Sequence, residues 1–390
     1  MSNTPKLRFP EFKGEWEKKR LEEICDPPKY GLNSAGIEFD GIHKYLRITD
    51  IDEITHTFSP TDITTPSEFN DEYLLNKNDI VFARTGASTG KTYLYDSNDG
   101  DLYFAGFLIK FHVKDANARF VFYQTLTHKY SKWVHVMSTR SGQPGINSEE
   151  YGSYKIKLPD IHEQQKIADF LSNVDSIITA ETKILNSLQK KKKALMQKLF
   201  TQQLRFKSDD GTDFPEWEEK KLGECVEILD SQRKPIESKE RANRKGEYPY
   251  YGASGIIDYI DDYLFDGEYI LLGEDGANII NRTSRLAFIA TGKYWVNNHA
   301  HIMKANAYNL NYFICEYLES LDYSKICAGS AQPKLTQDVI RNLTIKAPCK
   351  AEQQKVADCL SSMDSLIQNQ QKVVTTWQQR KKALLQQMFI

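Results

Sequence analysis

The sequence predicts an α+β protein arranged as a pseudo-two-fold repeat: two mixed α/β globular blocks, each leading into a long helix. Three observations carry this. Glu163-Gln164-Gln165-Lys166 recurs 189 residues later as Glu352-Gln353-Gln354-Lys355. Identities at that offset continue through Ala168-Asp169, Leu171-Ser172, Asp175-Ser176, Lys183 and Lys192-Lys193-Ala194-Leu195 to Phe200, whose mate is Phe389. About half of that window is identical, far above chance for two helices of similar composition. The entrance to each half also repeats, Trp16-Glu17 with Lys19 and Leu21 against Trp217-Glu218 with Lys220 and Leu222.

Bulk properties are consistent with this division. A chain of 390 residues exceeds one ordinary core and suits two domains of roughly 150 residues plus connecting elements. Hydrophobic residues at 40% and charged residues at 27% describe a globular protein. The six cysteines form no C-x-x-C pair and no zinc spacing, so reduced structural thiols are expected. The polar start Met1–Lys6 has no apolar leader, and no run reaches the ~18 apolar residues of a membrane span. The expected location is the cytoplasm, with no membrane partner. A net charge of −2 means that any hold on DNA relies on local positive charge or on a partner.

The elements follow in order. The first block, about residues 15–158, contains the apolar run Asp79–Ala83, a strand ending at a glycine turn. Arg119–Tyr130 reads as a helix. Ser141-Gly142-Gln143-Pro144 then precedes the first long helix, which opens at Pro159-Asp160 with Asp160 as cap and Glu163 at the capping-box position. Its seam holds Leu171, Ile178, Leu185, Lys192 and Leu199, with Ile167, Val174, Glu181, Leu188 and Leu195 at the other heptad position. The second block, about 216–347, has the strand Glu268–Leu272, the helix Leu310–Leu321 and the turn Ser330-Ala331-Gln332-Pro333. The second long helix repeats the register with Leu360, Ile367, Val374, Lys381 and Met388, then Val356, Met363, Gln370, Trp377 and Leu384. A narrow apolar stripe with a matching stripe in the same chain predicts a coiled coil roughly 55 Å long. The alternative is that each stripe docks on its own block. The lysine run Lys190–Lys193 reads as a solvated helix face or a docking stripe.

Candidate chemistry lies on turns. Gly86-Ala87-Ser88-Thr89-Gly90-Lys91-Thr92 has three residues between its glycines where a P-loop needs four, so Arg84, Thr85 and Lys91 are read as a surface turn meeting phosphates or bases. Asp26-Pro27-Pro28-Lys29 lacks the aromatic residue that would complete a methyltransferase motif and reads as a loop. His299 and His301, at i and i+2, have no third ligand for zinc; no metal site is assigned. Asn297, Asn298 and His299 are instead candidates for reading base edges, the equal alternative being a buried hydrogen-bonded cluster beside Tyr294 and Trp295. Arg140, Ser141 and Lys334, beside the Gln-Pro turns, are placed to reach a phosphate. No catalytic residue is assigned.

Two divergent blocks on a repeated frame, the paired Glu-Gln-Gln-Lys helices, the Gln-Pro turns and the segments Ala83–Lys91 and Asp262–Tyr269 together resemble the specificity subunit of type I restriction–modification systems. The resemblance spans nearly the whole chain. It implies target-recognition domains at 1–158 and 204–347, with helices 159–203 and 348–390 forming an antiparallel intramolecular coiled coil. Each domain would read one half of a bipartite target in double-stranded DNA. It further implies assembly with two methylation subunits, which bind S-adenosylmethionine, and two restriction subunits, which use ATP and Mg, with no cofactor in this chain. Two departures stand out: Cys349 replaces the cap Asp160, and the second block has Gly273-Glu274-Asp275-Gly276 in place of the Arg84 turn. The alternative from another class is a single-chain DNA methyltransferase or nuclease carrying its own recognition domains; a third is a coiled-coil scaffold whose blocks bind protein.

Overall fold

The computed structural model describes residues 4–68, 70–139, 144–327 and 333–389. Two long helices are present, Ile161–Phe200 and Lys350–Met388, each about 60 Å at 1.5 Å per residue. The chain divides into two compact units, residues 1–182 with 372–390 and residues 183–371. Each unit therefore combines one globular block with a segment of both helices.

Unit 1 is built on an antiparallel sheet in the order Lys29–Tyr30, Leu108–His112, Asp79–Ala83, Thr92–Leu94. Every residue of the central strand Asp79–Ala83 is buried, as expected for an apolar run covered on both faces. The sequence expectation of one helix over Arg119–Tyr130 is corrected here. Two helices form, Ala118–Thr125 and His128–Ser138, because the Thr127 side chain accepts from the Tyr130 amide at 3.3 Å and starts a new helix. Trp16, Phe82, Phe111, Phe120 and Tyr151 fill the core.

Unit 2 repeats the strand order with Val226–Ile228, Ala300–Ala305, Tyr269–Gly273 and Ala287–Ala290. The expected helix over Leu310–Leu321 is found as Asn311–Ser320. A second four-stranded sheet, built from Lys245–Gly252, Gly255–Ile260, Phe265–Asp266 and Lys293–Val296, is where the block departs most from its counterpart.

Within each unit the helix segments run antiparallel. In unit 1, Ile167 and Leu171 share a core with Leu385, Met388 and Phe389, and Lys381 meets Asp175 at 2.6 Å. In unit 2, Met196 and Leu199 share one with Val356 and Leu360, and Lys192 meets Asp364 at 2.6 Å. Both readings of the stripe hold at once, since these seams also pack on the block beside them. Phe389 reaches Phe120 with ring centroids 5.1 Å apart, and Phe200 reaches Phe313 at 5.7 Å.

Lys190, Lys191 and Lys193 are exposed, as a solvated face requires, and Lys192 alone departs from it. Its side chain is 8% exposed and lies between Asp364 and Glu316. The repeat explains this. Asp175, Tyr123 and Lys381 in unit 1 correspond to Asp364, Tyr312 and Lys192 in unit 2. Each aspartate takes the tyrosine hydroxyl and the lysine ammonium together. A polar residue at a seam position with a buried partner fixes register, as in coiled coils generally.

The Glu-Gln-Gln-Lys segment has the same explanation, letter by letter. Glu163 is gripped by Arg8 at 2.7 and 2.8 Å, so it serves as an ion-pair anchor rather than a capping-box acid; Glu352 is gripped by Arg205 at 3.2 and 3.0 Å. Gln164 donates to the Pro159 carbonyl and accepts from Asn117, while Gln353 donates to Pro348 and accepts from Leu310. Gln165 and Gln354 donate to Asp169 and Asp358, one turn on. Lys166 pairs with Glu11 and Lys355 with Asp209. Asp160 does cap its helix, accepting from the amides of His162 and Glu163.

All six cysteines are free, and burial pushes the Cys25 thiol up to about 12. Among the described residues no helix is long and apolar enough to cross a membrane.

Candidate nucleic-acid interface

The turn after strand Asp79–Ala83 is held by the chain that follows the first Gln-Pro. Gly86 N–H donates to the Pro144 carbonyl at 3.1 Å, Thr85 bridges to Gly145, and Ile146 N–H donates to the Arg84 carbonyl at 2.9 Å. Gly90, at φ +91°, packs so closely on Val134 that an added Cβ would lie 2.5 Å from a methyl; only glycine fits there. Two sequence-predicted segments are thus brought together, although Arg140 and Ser141 themselves lie outside the described residues.

Arg84 and Lys91 part company. The Arg84 guanidinium lies over the Tyr30 and Phe107 rings, 5.1 and 5.9 Å from their centroids, and its buried Nε has no hydrogen-bond partner. It borders a cleft of about 720 Å³ that also contains Asn33, Arg47 and Thr49. Arg47 is committed to Asp50 by two 2.8 Å bonds, whereas Phe107 is 60% exposed. Lys91 turns inward. Its ammonium donates to the Ile51 carbonyl at 3.0 Å and pairs with Glu53, and its side chain is 7% exposed. It ties the 48–53 loop to the sheet, so the glycine turn presents Arg84 and not Lys91 to the cleft.

Unit 2 assembles its candidates around the equivalent turn. Asp275 bridges to Lys334, Leu335 N–H donates to the Glu274 carbonyl, and Glu274 N–H donates to His299. The Lys334 ammonium lies 3.2 Å from Glu274, whose other oxygen holds Arg233 at 2.9 Å. His299 pairs with Asp275 at 2.8 Å. Asn297 is buried and accepts from the His299 amide, while Asn298 is exposed. Asn298, His299 and Lys334 therefore share one surface, with Asn297 beneath them.

His301 does not join His299 there. It is buried, with Nδ1 2.6 Å from Asp230 and Nε2 2.7 Å from the Leu335 carbonyl. Burial works to raise the Asp230 pKa, but the His301 hydrogen bond, the Ile302 amide and Arg233 outweigh it and hold the carboxyl below its usual value. Among the described residues no group of three or more His, Cys, Asp or Glu side chains is placed to hold a metal ion.

Sequence reasoning missed Tyr30, Phe107 and Arg233. The aromatics lie 54 and 23 positions from Arg84 on other strands and loops, so only the sheet order joins them. A guanidinium backed by two rings at an open cleft can stack on a flat ring and offer paired donors to a base edge. The two units share a turn but carry opposite charge on it, Arg84 in one and Glu274 in the other.

Comparison with known proteins agrees with this repeated architecture. The sequence profile of the type I restriction modification DNA specificity domain matches residues 13–190 and 215–376. A putative type I restriction enzyme specificity subunit of Haemophilus influenzae is 33% identical over 39% of this chain and 38% of its own. The MjaVIII specificity subunit of Methanocaldococcus jannaschii is 26% identical over 97% of this chain and 92% of its own. In structure, the S subunit of the type I restriction–modification system of M. genitalium aligns with a TM-score of 0.63 at 17% identity, covering 99% of both chains. With both halves matched by the profile, the chain belongs to the type I restriction–modification DNA specificity family.

Proposed function

We propose that this chain is the DNA sequence-recognition subunit of a type I restriction–modification complex, with each unit reading one half of a bipartite target. The observation that carries the division of labour is the shared turn with different chemistry. Arg84 stands free over aromatic rings in unit 1, a geometry suited to the O6 and N7 acceptors of guanine. In unit 2 the same position is Glu274, neutralised by Arg233 and Lys334, which leaves the exposed Asn298 and His299 to face the DNA, asparagine being suited to adenine.

The chain itself performs no chemistry in this reading. Methylation and cleavage belong to two methylation subunits holding S-adenosylmethionine and two restriction subunits using ATP and Mg. The long helices set the distance between half-sites and supply a docking surface for the methylation subunits. The complex works in the cytoplasm. Double-stranded DNA is the ligand, and its hold is salt-dependent.

The test is methylation mapping of a genome carrying this chain with its methylating partner, before and after residues 15–158 are replaced by the corresponding block of a relative. One half-site word should change and the other persist. Simultaneous change of both words, or methylation by the purified chain without a partner, would refute the proposal.

A further inference from the structure

The two units carry different residues at one matched pair of backbone positions. In unit 1 Ala83 lies opposite Leu108, the Arg84 N–H donates to the Phe107 carbonyl at 3.0 Å, and the Arg84 carbonyl accepts from Ile146 at 2.9 Å. In unit 2 Gly273 lies opposite Ala300, the Glu274 N–H donates to the His299 carbonyl at 2.8 Å, and the Glu274 carbonyl accepts from Leu335 at 2.8 Å. Phe107 is therefore the counterpart of His299, as Arg84 is of Glu274. The sequence marks His299 as a base-edge candidate. The shared backbone gives Phe107 the same place, with no motif around it to announce the role.

The turn that carries Phe107 is fixed from both sides. The Leu108 N–H donates to the Ala105 carbonyl at 2.8 Å and closes a tight turn with Gly106 and Phe107 at its corner. Gly31 N–H donates to the Leu108 carbonyl at 3.0 Å and Leu32 N–H to the Phe104 carbonyl at 2.8 Å. A Cβ on Gly31 would lie 2.1 Å from the Ala105 oxygen, so only glycine permits this approach. From that turn the Phe107 ring projects into solvent, with its centroid 5.9 Å from the Arg84 guanidinium. An apolar ring on a backbone fixed beforehand has little ordering entropy left to lose on contact. Its chemistry narrows what it can meet. Bases in a duplex expose only their edges, and the one apolar substituent in the major groove is the C5 methyl of thymine. Phenylalanine has no polar atom in its side chain, so that methyl is the feature it can select. The 5.9 Å separation is less than two base-pair rises of about 3.4 Å. A guanine held by Arg84 therefore leaves Phe107 at the adjoining pair.

We infer that Phe107 is a specificity-determining residue of unit 1, its ring packing on the C5 methyl of the pyrimidine in the pair next to the guanine read by Arg84. The inference rests on the DNA-recognition reading above. Thymine carries that methyl by nature and 5-methylcytosine by modification, and the two share one apolar contact. The matched position of unit 2 holds a histidine, suited to a polar edge instead.

The experiment measures binding of duplexes carrying the mapped target by the chain in complex with its methylating partner. Each guanine of the unit 1 word is replaced in turn by 7-deazaguanine, which lacks the N7 acceptor. The position that weakens the wild type and leaves R84A unaffected marks the Arg84 contact. At the adjoining pair, deoxyuridine in place of thymidine removes the methyl alone and should weaken wild-type binding about fourfold, the value of one buried methyl. F107A should bind the two duplexes equally while keeping its response to 7-deazaguanine, and F107L should retain most of the preference. The melting temperature of F107A should match the wild type, since the ring is largely exposed, so loss of preference is not loss of folding. A word with cytosine in that pair, bound about fourfold more tightly once the cytosine is 5-methylated, would support the contact and assign it to 5-methylcytosine. Equal affinity for methylated and unmethylated pyrimidines on both sides of the guanine would overturn the inference and leave the recognition reading standing. So would an undiminished preference in F107A, or the absence of any guanine that meets the Arg84 criterion. A wild-type complex that does not distinguish target from unrelated duplex would overturn both.

Discussion

Replacing Lys192 by methionine should destabilise unit 2 far more than the equivalent replacement at Lys381 destabilises unit 1. The Lys192 ammonium is 2.6 Å from Asp364 and 2.8 Å from Glu316, with side chains 8%, 25% and 2% exposed. Methionine keeps the apolar stem but leaves Glu316 with Arg285 alone and Asp364 with the Tyr312 hydroxyl and no cation. Removing one member of a buried ionic set costs about 3–5 kcal/mol. Lys381 faces one carboxylate, Asp175, which is 35% exposed, so water screens the loss to about 1 kcal/mol. For domains of this size each kcal/mol lowers the midpoint by about 2–4 °C. Differential scanning calorimetry should therefore show a fall of about 6–20 °C for K192M and about 2–4 °C for K381M. Adding D364N to K192M removes the stranded charge and should recover roughly half of the loss. Equal losses at the two lysines, or no recovery in the double variant, would refute the account of these residues as neutralised register pins.

Three further outcomes are expected. R84A should weaken binding of the cognate duplex by about 1–3 kcal/mol without a change in melting temperature, whereas K91A should chiefly lower the stability of unit 1 by about 1–3 kcal/mol; parallel melting and binding curves separate them. Burial, with Lys381 and Lys91 adding to it, holds the His56 pKa below its usual value despite the Thr92 carbonyl. The unfolded chain therefore binds the extra proton first, so the stability of unit 1 is full above about pH 6.5 and falls as pH drops through the folded value. H56N, which tolerates the φ of +55°, should flatten that dependence in chemical unfolding at pH 5.5 and 7.5. A heptad inserted near both Ile184 and Val373 should lengthen the methylated spacer by about three base pairs, since it adds ~10 Å of helix; mapping that shows an unchanged spacer at full activity would remove the helices from that role.

The frame was legible because it depends on local periodicity. Heptads and a 189-residue offset name Leu171, Leu360 and their neighbours as seam positions, and burial at Leu171 and Leu360 agrees. Long-range partners were not legible. Lys192 falls on a seam position within a lysine run, but the carboxylates that neutralise it, Asp364 and Glu316, lie more than 120 residues away. Lys91 follows a glycine turn that points outward by convention, yet a loop 40 residues upstream draws its ammonium in.

The division of residues between the units also governs the order of assembly on the ribosome. Unit 2 is one uninterrupted stretch, while unit 1 needs residues 372–390 to complete a core begun by Trp16, Phe120, Ile167 and Leu171. Elongation at roughly 5–20 residues per second leaves that core open for about 10–40 s while the intervening 189 residues are made. During that interval the nascent chain exposes an apolar face suited to chaperones or to misassembly. Completion of unit 2 relieves the delay. Its antiparallel helix segments place Lys183 and Gln371 at the same end, which shortens the loop that unit 1 must close. The part of the chain synthesised first is thus the last to finish folding.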